Sequence, residues 1–117
     1  MERALGIGGY FLRAADPEAL SAWYRECLGV GDGEHGLWFP DAGPSVFATF
    51  GRDTDYFGDR AQQAMLNIRV RDLDAMIAQL RAAGADVADE VEEMDGVGRF
   101  GWVTDPEGNR VELWQPA

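Results

Sequence analysis

Histidine and cysteine are nearly missing from this sequence: its 117 residues hold one of each, His35 and Cys27. A lone cysteine excludes an intramolecular disulfide and suits a reducing compartment, so the cytoplasm is the expected location. A lone histidine beside a cysteine in an apolar helical stretch leaves no Ser-His-Asp or Cys-His arrangement to argue for. Basic residues are scarce as well, 10 against 21 acidic ones, for a net charge of −11. Such a field repels phosphate backbones and anionic bilayers, so neither nucleic acid nor a membrane is expected as a partner. It keeps the chain soluble and mildly favours cationic ligands. No apolar run reaches the ~18 residues of a membrane span. The opening MERALGIGG shows no signal-peptide pattern, so no secretory leader is expected.

What is present is apolar residues, 46% of the composition, enough for a packed core in a single domain over residues 1–117. The order of elements repeats. Arg13-Ala14-Ala15-Asp16 is answered by Arg69-Val70-Arg71-Asp72, and Trp38-Phe39-Pro40-Asp41 by Trp102-Val103-Thr104-Asp105. The repeats span about 5–52 and 62–116. Each begins with an alternating stretch, Gly9 to Ala14 and Met65 to Val70, in which successive side chains point to opposite sheet faces.

A helix follows each of these stretches. Asp16 and Asp72 are N-cap residues, Pro17 fits the first helical position, and Gly29 and Gly84 fit the stops. Leu20, Trp23, Tyr24, Cys27 and Leu28 recur at helical spacing, as do Leu73, Met76, Ile77 and Leu80. Packing is the expected role of these stripes, Cys27 included. Short strands are expected over His35–Phe39, Ser45–Phe50, Ala85–Val91, Arg99–Thr104 and Arg110–Trp114. The run Asp105-Pro106-Glu107-Gly108-Asn109 is a strong turn signal. Residues 51–63 are polar, with glycines, and read as a solvated connecting loop that also has the length for a flap.

Three segments carry a family resemblance. Phe11 to Gly29, ending Tyr-Arg-Glu-Cys-Leu-Gly, is one. Asn67 to Asp74 is the second, and Gly98 to Pro116, with its Thr-Asp-Pro-Glu-Gly-Asn-Arg turn, is the third and most specific. Together they resemble the vicinal oxygen chelate superfamily of glyoxalases, bleomycin-resistance proteins and dioxygenases. The resemblance implies an α+β fold of two βαβββ repeats forming a U-shaped mixed sheet around a central cleft, and a homodimer. In metal-dependent members, four side chains from the opening strand and closing hairpin of each half meet in that cleft. The matching positions here are Gly9, Phe47, Met65 and Glu112. Gly, Phe and Met do not suit a hard divalent ion, so no metal and no other cofactor is expected. His35 lies on a different expected strand.

Alternation places Phe11, Phe47, Met65, Asn67, Glu112 and Trp114 on the inward faces, with Phe100 and Trp102 beside them. An aromatic cleft with a few polar handles is the usual make-up of a small-molecule pocket. Glu112 stands out there, as a general base or as an anion that orients a cationic ligand among aromatic rings. The plainer reading pairs it with Arg13, Arg69 or Arg110. Four functions compete. The chain binds a small aromatic or cationic molecule without chemistry, or it is a metal-independent enzyme using Glu112 as acid or base. It is otherwise a module that dimerises or docks to another protein. A metal-dependent lyase or dioxygenase would need the ligands that are missing.

Overall fold

A computed structural model describes residues 1–31 and 36–117, so His35 and the start of the strand expected at His35–Phe39 lie outside the described residues. Helix α1 spans Pro17–Leu28 and helix α2 spans Leu73–Ala82. Both form where the caps direct. The Asp16 carboxylate accepts from the Ala19 N–H and the Asp72 carboxylate from the Ala75 N–H, relieving amides that have no intrahelical acceptor. Gly29 closes α1 in the left-handed conformation, and its N–H returns to the Arg25 carbonyl.

The strands are β1 (Leu66–Arg69), β2 (Asp86–Val87), β3 (Glu92–Met94), β4 (Gly98–Thr104) and β5 (Arg110–Pro116). They form one five-stranded mixed sheet in the order β1-β5-β4-β2, with β3 also pairing β4. β1 runs parallel to β5, while β4 is antiparallel to β5, β2 and β3. A single strand was expected at Ala85–Val91. The chain instead makes two short antiparallel pairings along β4, separated by the polar residues Asp89 and Glu90.

One face of the sheet receives both helices. Ile68, Val103, Val111 and Leu113 pack there against Leu20, Tyr24 and Leu28 of α1 and Leu73, Ile77 and Leu80 of α2. Leu73, Leu80 and Leu113 are fully buried, each contributing about 1.5–3 kcal/mol by leaving water. Cys27 packs at the rim of this core, where burial, and then the neighbouring Glu26 charge, push its thiol pKa up. The turn after β4 ties the halves together. Asp105, 4% exposed, accepts from the Tyr24 hydroxyl at 2.7 Å and from the Glu107 and Asn109 amides. Glu107 in turn accepts from the Ala15 and Asp16 N–H groups just ahead of α1.

Among the described residues, the stretches expected as strands at residues 9–14 and 45–50, and the described part of 35–39, pair in no ladder. Their alternation calls for a neighbouring strand, and none among the described residues supplies one, although Ala14 packs on the core. Phe11 is 95% exposed and Phe47 87%. Arg69 holds the turn between two of these stretches, its guanidinium donating to the Pro44 carbonyl at 2.6 Å and to the Asp41 carbonyl.

Candidate functional site

The second sheet face carries the chemistry. Period-two alternation along β1, β4 and β5 sends Ile68, Val103, Val111 and Leu113 to the helices and the residues between them to the other side. Register then sets those residues in rows. Asn67 lies opposite Glu112, and Glu112 opposite Trp102. Arg69 lies opposite Trp114, Trp114 opposite Phe100, and Phe100 opposite Glu92. Met65, half-buried, precedes β1 on the same face.

Phe100 and Trp114 stack with their rings 4° from parallel and 6.3 Å apart. The Trp114 indole N–H donates to the Val97 carbonyl at 3.0 Å, which fixes the ring. Gly98 makes this possible: its φ is +138°, and a Cβ there would stand 2.1 Å from the Gln115 carbonyl oxygen and 2.9 Å from Trp114 Nε1.

Glu112 sits at the centre of the first row with both carboxylate oxygens engaged. Asn67 Nδ2 donates to Oε1 at 2.6 Å, and the Tyr56 hydroxyl donates to Oε2. Tyr56 comes from the connecting segment. Burial first, and the Glu112 carboxylate second, raise its pKa above the usual phenol range. Its ring meets Trp102 edge-on at 6.2 Å, and the Arg110 guanidinium lies over the Trp102 ring at 5.1 Å and near Tyr56 at 6.0 Å. Phe50 packs on both Tyr56 and Phe57. Trp102 is 3% exposed, yet among the described residues its indole N–H has no hydrogen-bond partner.

Of the residues singled out by sequence, Met65, Asn67, Phe100, Trp102, Glu112 and Trp114 therefore share one face of one sheet. Phe11 and Phe47 do not reach it in the single chain. Sequence reasoning put Tyr56 and Phe57 in the connecting loop, solvated by default with a gate over the cleft as the alternative, and did not count Tyr56 among the site residues, although a Tyr-Phe pair inside an otherwise polar loop is itself a signal for docking. Arg110 was weighed as an ion-pair partner of Glu112 and instead stacks on the two rings. Arg69 takes main-chain carbonyls as partners.

The residues do not fit a divalent ion of the oxygen-chelate kind. Gly9 and Phe47 offer no donor and lie on the exposed segments, and Met65 offers only a thioether. Among the described residues Glu112 stands without a second anionic or imidazole ligand, and no three His, Cys, Asp or Glu side chains converge. A depression of about 200 Å³ lies within the connecting segment, lined by Phe50, Arg52, Thr54, Phe57, Asp59 and Arg60, and is separate from the Glu112 face. No helix of the described residues is long and apolar enough to cross a membrane.

The chain is similar in fold to several solved structures. TnmS3, described as an antibiotic binding protein from Streptomyces sp. CB03234, is 26% identical, matched over 89% of both chains with a TM-score of 0.54. Lactoylglutathione lyase from Agrobacterium tumefaciens is 19% identical over 97% of this chain and 95% of its own, with a TM-score of 0.61. TioX from Micromonospora sp. ML1 is 19% identical over 89% of this chain and 93% of its own, with a TM-score of 0.55. No curated protein matches the sequence. The sequence pattern of the glyoxalase-like domain matches residues 10–114, nearly the whole chain, and the protein belongs to the glyoxalase-like domain family.

Proposed function

We propose that this protein binds a small aromatic or cationic molecule against the open sheet face and holds it without a catalytic metal. The observation that carries this reading is Glu112, a carboxylate on a wall of Trp102, Phe100 and Trp114. A carboxylate framed by aromatic faces attracts a cation electrostatically and through the ring quadrupoles, and the net charge of −11 draws cations toward it. TnmS3, 26% identical, is described as antibiotic-binding, which supports the same class of function here.

The second wall comes, in this reading, from a second copy of the chain. The two proposed repeats, about 5–52 and 62–116, then complete one cleft per pair of halves, with Phe11 and Phe47 facing Asn67, Glu112 and Trp114. Their exposure supports this, since unpaired strand-like segments bearing large apolar side chains seek a partner edge. The single thiol suits the cytoplasm.

Titrating tryptophan fluorescence with a cationic aromatic dye tests the binding reading. Wild type saturates, and Glu112→Gln, still folded by circular dichroism, weakens the dye on the order of tenfold, about 1.4 kcal/mol. Equal affinity in the variant would remove Glu112 from the site. A metal-independent enzyme is the second reading, supported by the Tyr56–Glu112 hydrogen bond, which could pass a proton. In that case the same variant keeps ligand and loses turnover.

A further inference from the structure

The Tyr56 side chain reaches the centre of the open face from a segment that is otherwise self-contained. Thr54 bonds back to Gly51, Gly58 to Asp55, and Gln62 to Asp59. The Tyr56 and Ala61 amides turn to Thr54 and Asp59 in the same way. Gln62 anchors the far end, with its side-chain amide bonded to the Arg110 N–H and carbonyl at 2.8 and 2.9 Å. Among the described residues, the Tyr56 hydroxyl makes the one hydrogen bond from residues 51–61 to the strands. The segment is thus hinged at Gln62 and latched at one phenol.

That phenol is held as a ligand would be. Its hydroxyl donates to Glu112, which Asn67 orients from the other side. Its ring stands edge-on to Trp102 beneath the Arg110 guanidinium. The buried Trp102 N–H lies close enough to the hydroxyl to ease its ionisation slightly, yet completes no hydrogen bond with it. A buried N–H without an acceptor costs free energy, and an oxygen placed slightly differently from that of Tyr56 would relieve it. The Arg110 Nε is likewise buried without a partner.

We propose that Tyr56 is a built-in occupant of a subsite for hydroxyaryl groups, and that a ligand bearing a phenol displaces it, donating to Glu112 and accepting from the Trp102 N–H. This rests on the small-molecule reading above and narrows its aromatic ligand to a chemical class. The displaced segment swings about Gln62, so binding and opening are one event. An occupied subsite also lowers apparent affinity by the fraction of time it stands open.

The test uses 4-methylphenol, with toluene as the probe lacking the hydroxyl, on wild type, Tyr56→Phe and Tyr56→Ala, read by tryptophan fluorescence and melting temperature. Tyr56→Ala is expected to bind 4-methylphenol at least about tenfold more tightly than wild type, and to recover melting temperature with it more than with toluene. Tyr56→Phe, which keeps the ring and loses the latch, falls between. If Tyr56→Ala does not fold, the ordering of Tyr56→Phe over wild type decides. Wild type binding 4-methylphenol as tightly as either variant would overturn the proposal and make Tyr56 a wall of the site. Equal responses to toluene and 4-methylphenol would overturn the hydroxyl requirement. Failure of 4-methylphenol on all three proteins, while the cationic dye still titrates wild type, overturns this inference alone. Failure of both probes removes the small-molecule reading with it.

Discussion

Replacing Tyr24 by Phe removes one oxygen atom and tests how the halves of the chain are joined. The Tyr24 hydroxyl donates at 2.7 Å to Asp105 Oδ2, and Asp105 is 4% exposed. A hydrogen bond to a charged acceptor contributes about 1.5–3 kcal/mol. Here Oδ2 keeps a second donor, Asn109 Nδ2 at 2.8 Å, so the carboxylate is not left bare. That places the expected loss near the middle of the range, about 2 kcal/mol. For a domain of this size it lowers the melting temperature by about 8 °C, at roughly 4 °C per kcal/mol. Urea unfolding followed by circular dichroism should show a lower midpoint at an unchanged slope, since little extra surface is exposed. Trp23, edge-on to Tyr24 at 4.9 Å, supplies a local fluorescence reporter that should shift little in the native state. A loss below about 0.5 kcal/mol would refute the reasoning, because it would mean that water or Asn109 replaces the phenol without cost.

Alkaline pH should expose the Tyr56 latch. Its folded pKa is raised, so its contribution is complete below the unfolded phenol value of about 10 and declines as pH rises through the folded value. The stability difference between wild type and Tyr56→Phe should be constant near neutrality and shrink above about pH 10, as read by denaturant unfolding across the pH range. Gly98→Ala should cost at least about 3 kcal/mol, because the added Cβ meets a main-chain oxygen at a backbone conformation that side chains avoid. Thermal melts measure that loss, and a variant as stable as wild type would show that β4 and β5 can separate there freely. Adding zinc, manganese or magnesium to protein purified without chelators should leave the melting temperature unchanged. A stoichiometric ion lost on Glu112→Gln would restore the oxygen-chelate chemistry that the donor set argues against.

The second half of the chain was legible almost residue by residue. Asp72, the stripe of Leu73, Ile77 and Leu80, and the Asp105–Asn109 turn each declare their role locally. Alternation in Met65 to Val70 and Arg110 to Trp114 then decides which side chains share a face, so Asn67, Trp102, Glu112 and Trp114 could be grouped before any coordinates. The stretches around Phe11 and Phe47 alternate just as clearly, but alternation specifies a face and not a neighbour. A strand is completed by the edge it pairs with, and within one chain that edge is not supplied to them. The break between β2 and β3 escaped notice because a run of small and polar residues carries no strong period. Tyr56 was placed in the connecting loop but could not be assigned to Glu112, for a related reason. Its position follows from a succession of tight turns between Gly51 and Gln63, and turns leave no repeating pattern from which a direction can be read.

The Tyr24–Asp105 hydrogen bond spans 81 residues of sequence, and its length matters to a chain that is made from one end. Helix α1 leaves the ribosome well before the residues that hold it, with Leu20, Tyr24 and Leu28 bare. Its packing partner α2 comes next, but the carboxylates that receive Tyr24 and cover the amides of Ala15 and Asp16 follow only about 80 to 90 residues after α1 begins. Until that turn emerges and β5 pairs between β1 and β4, α1 has a stripe of apolar side chains and little to set against it. Slow long-range closure is when nascent chains associate wrongly. Synthesis of this domain therefore leaves α1 waiting on the same few residues that later fasten it.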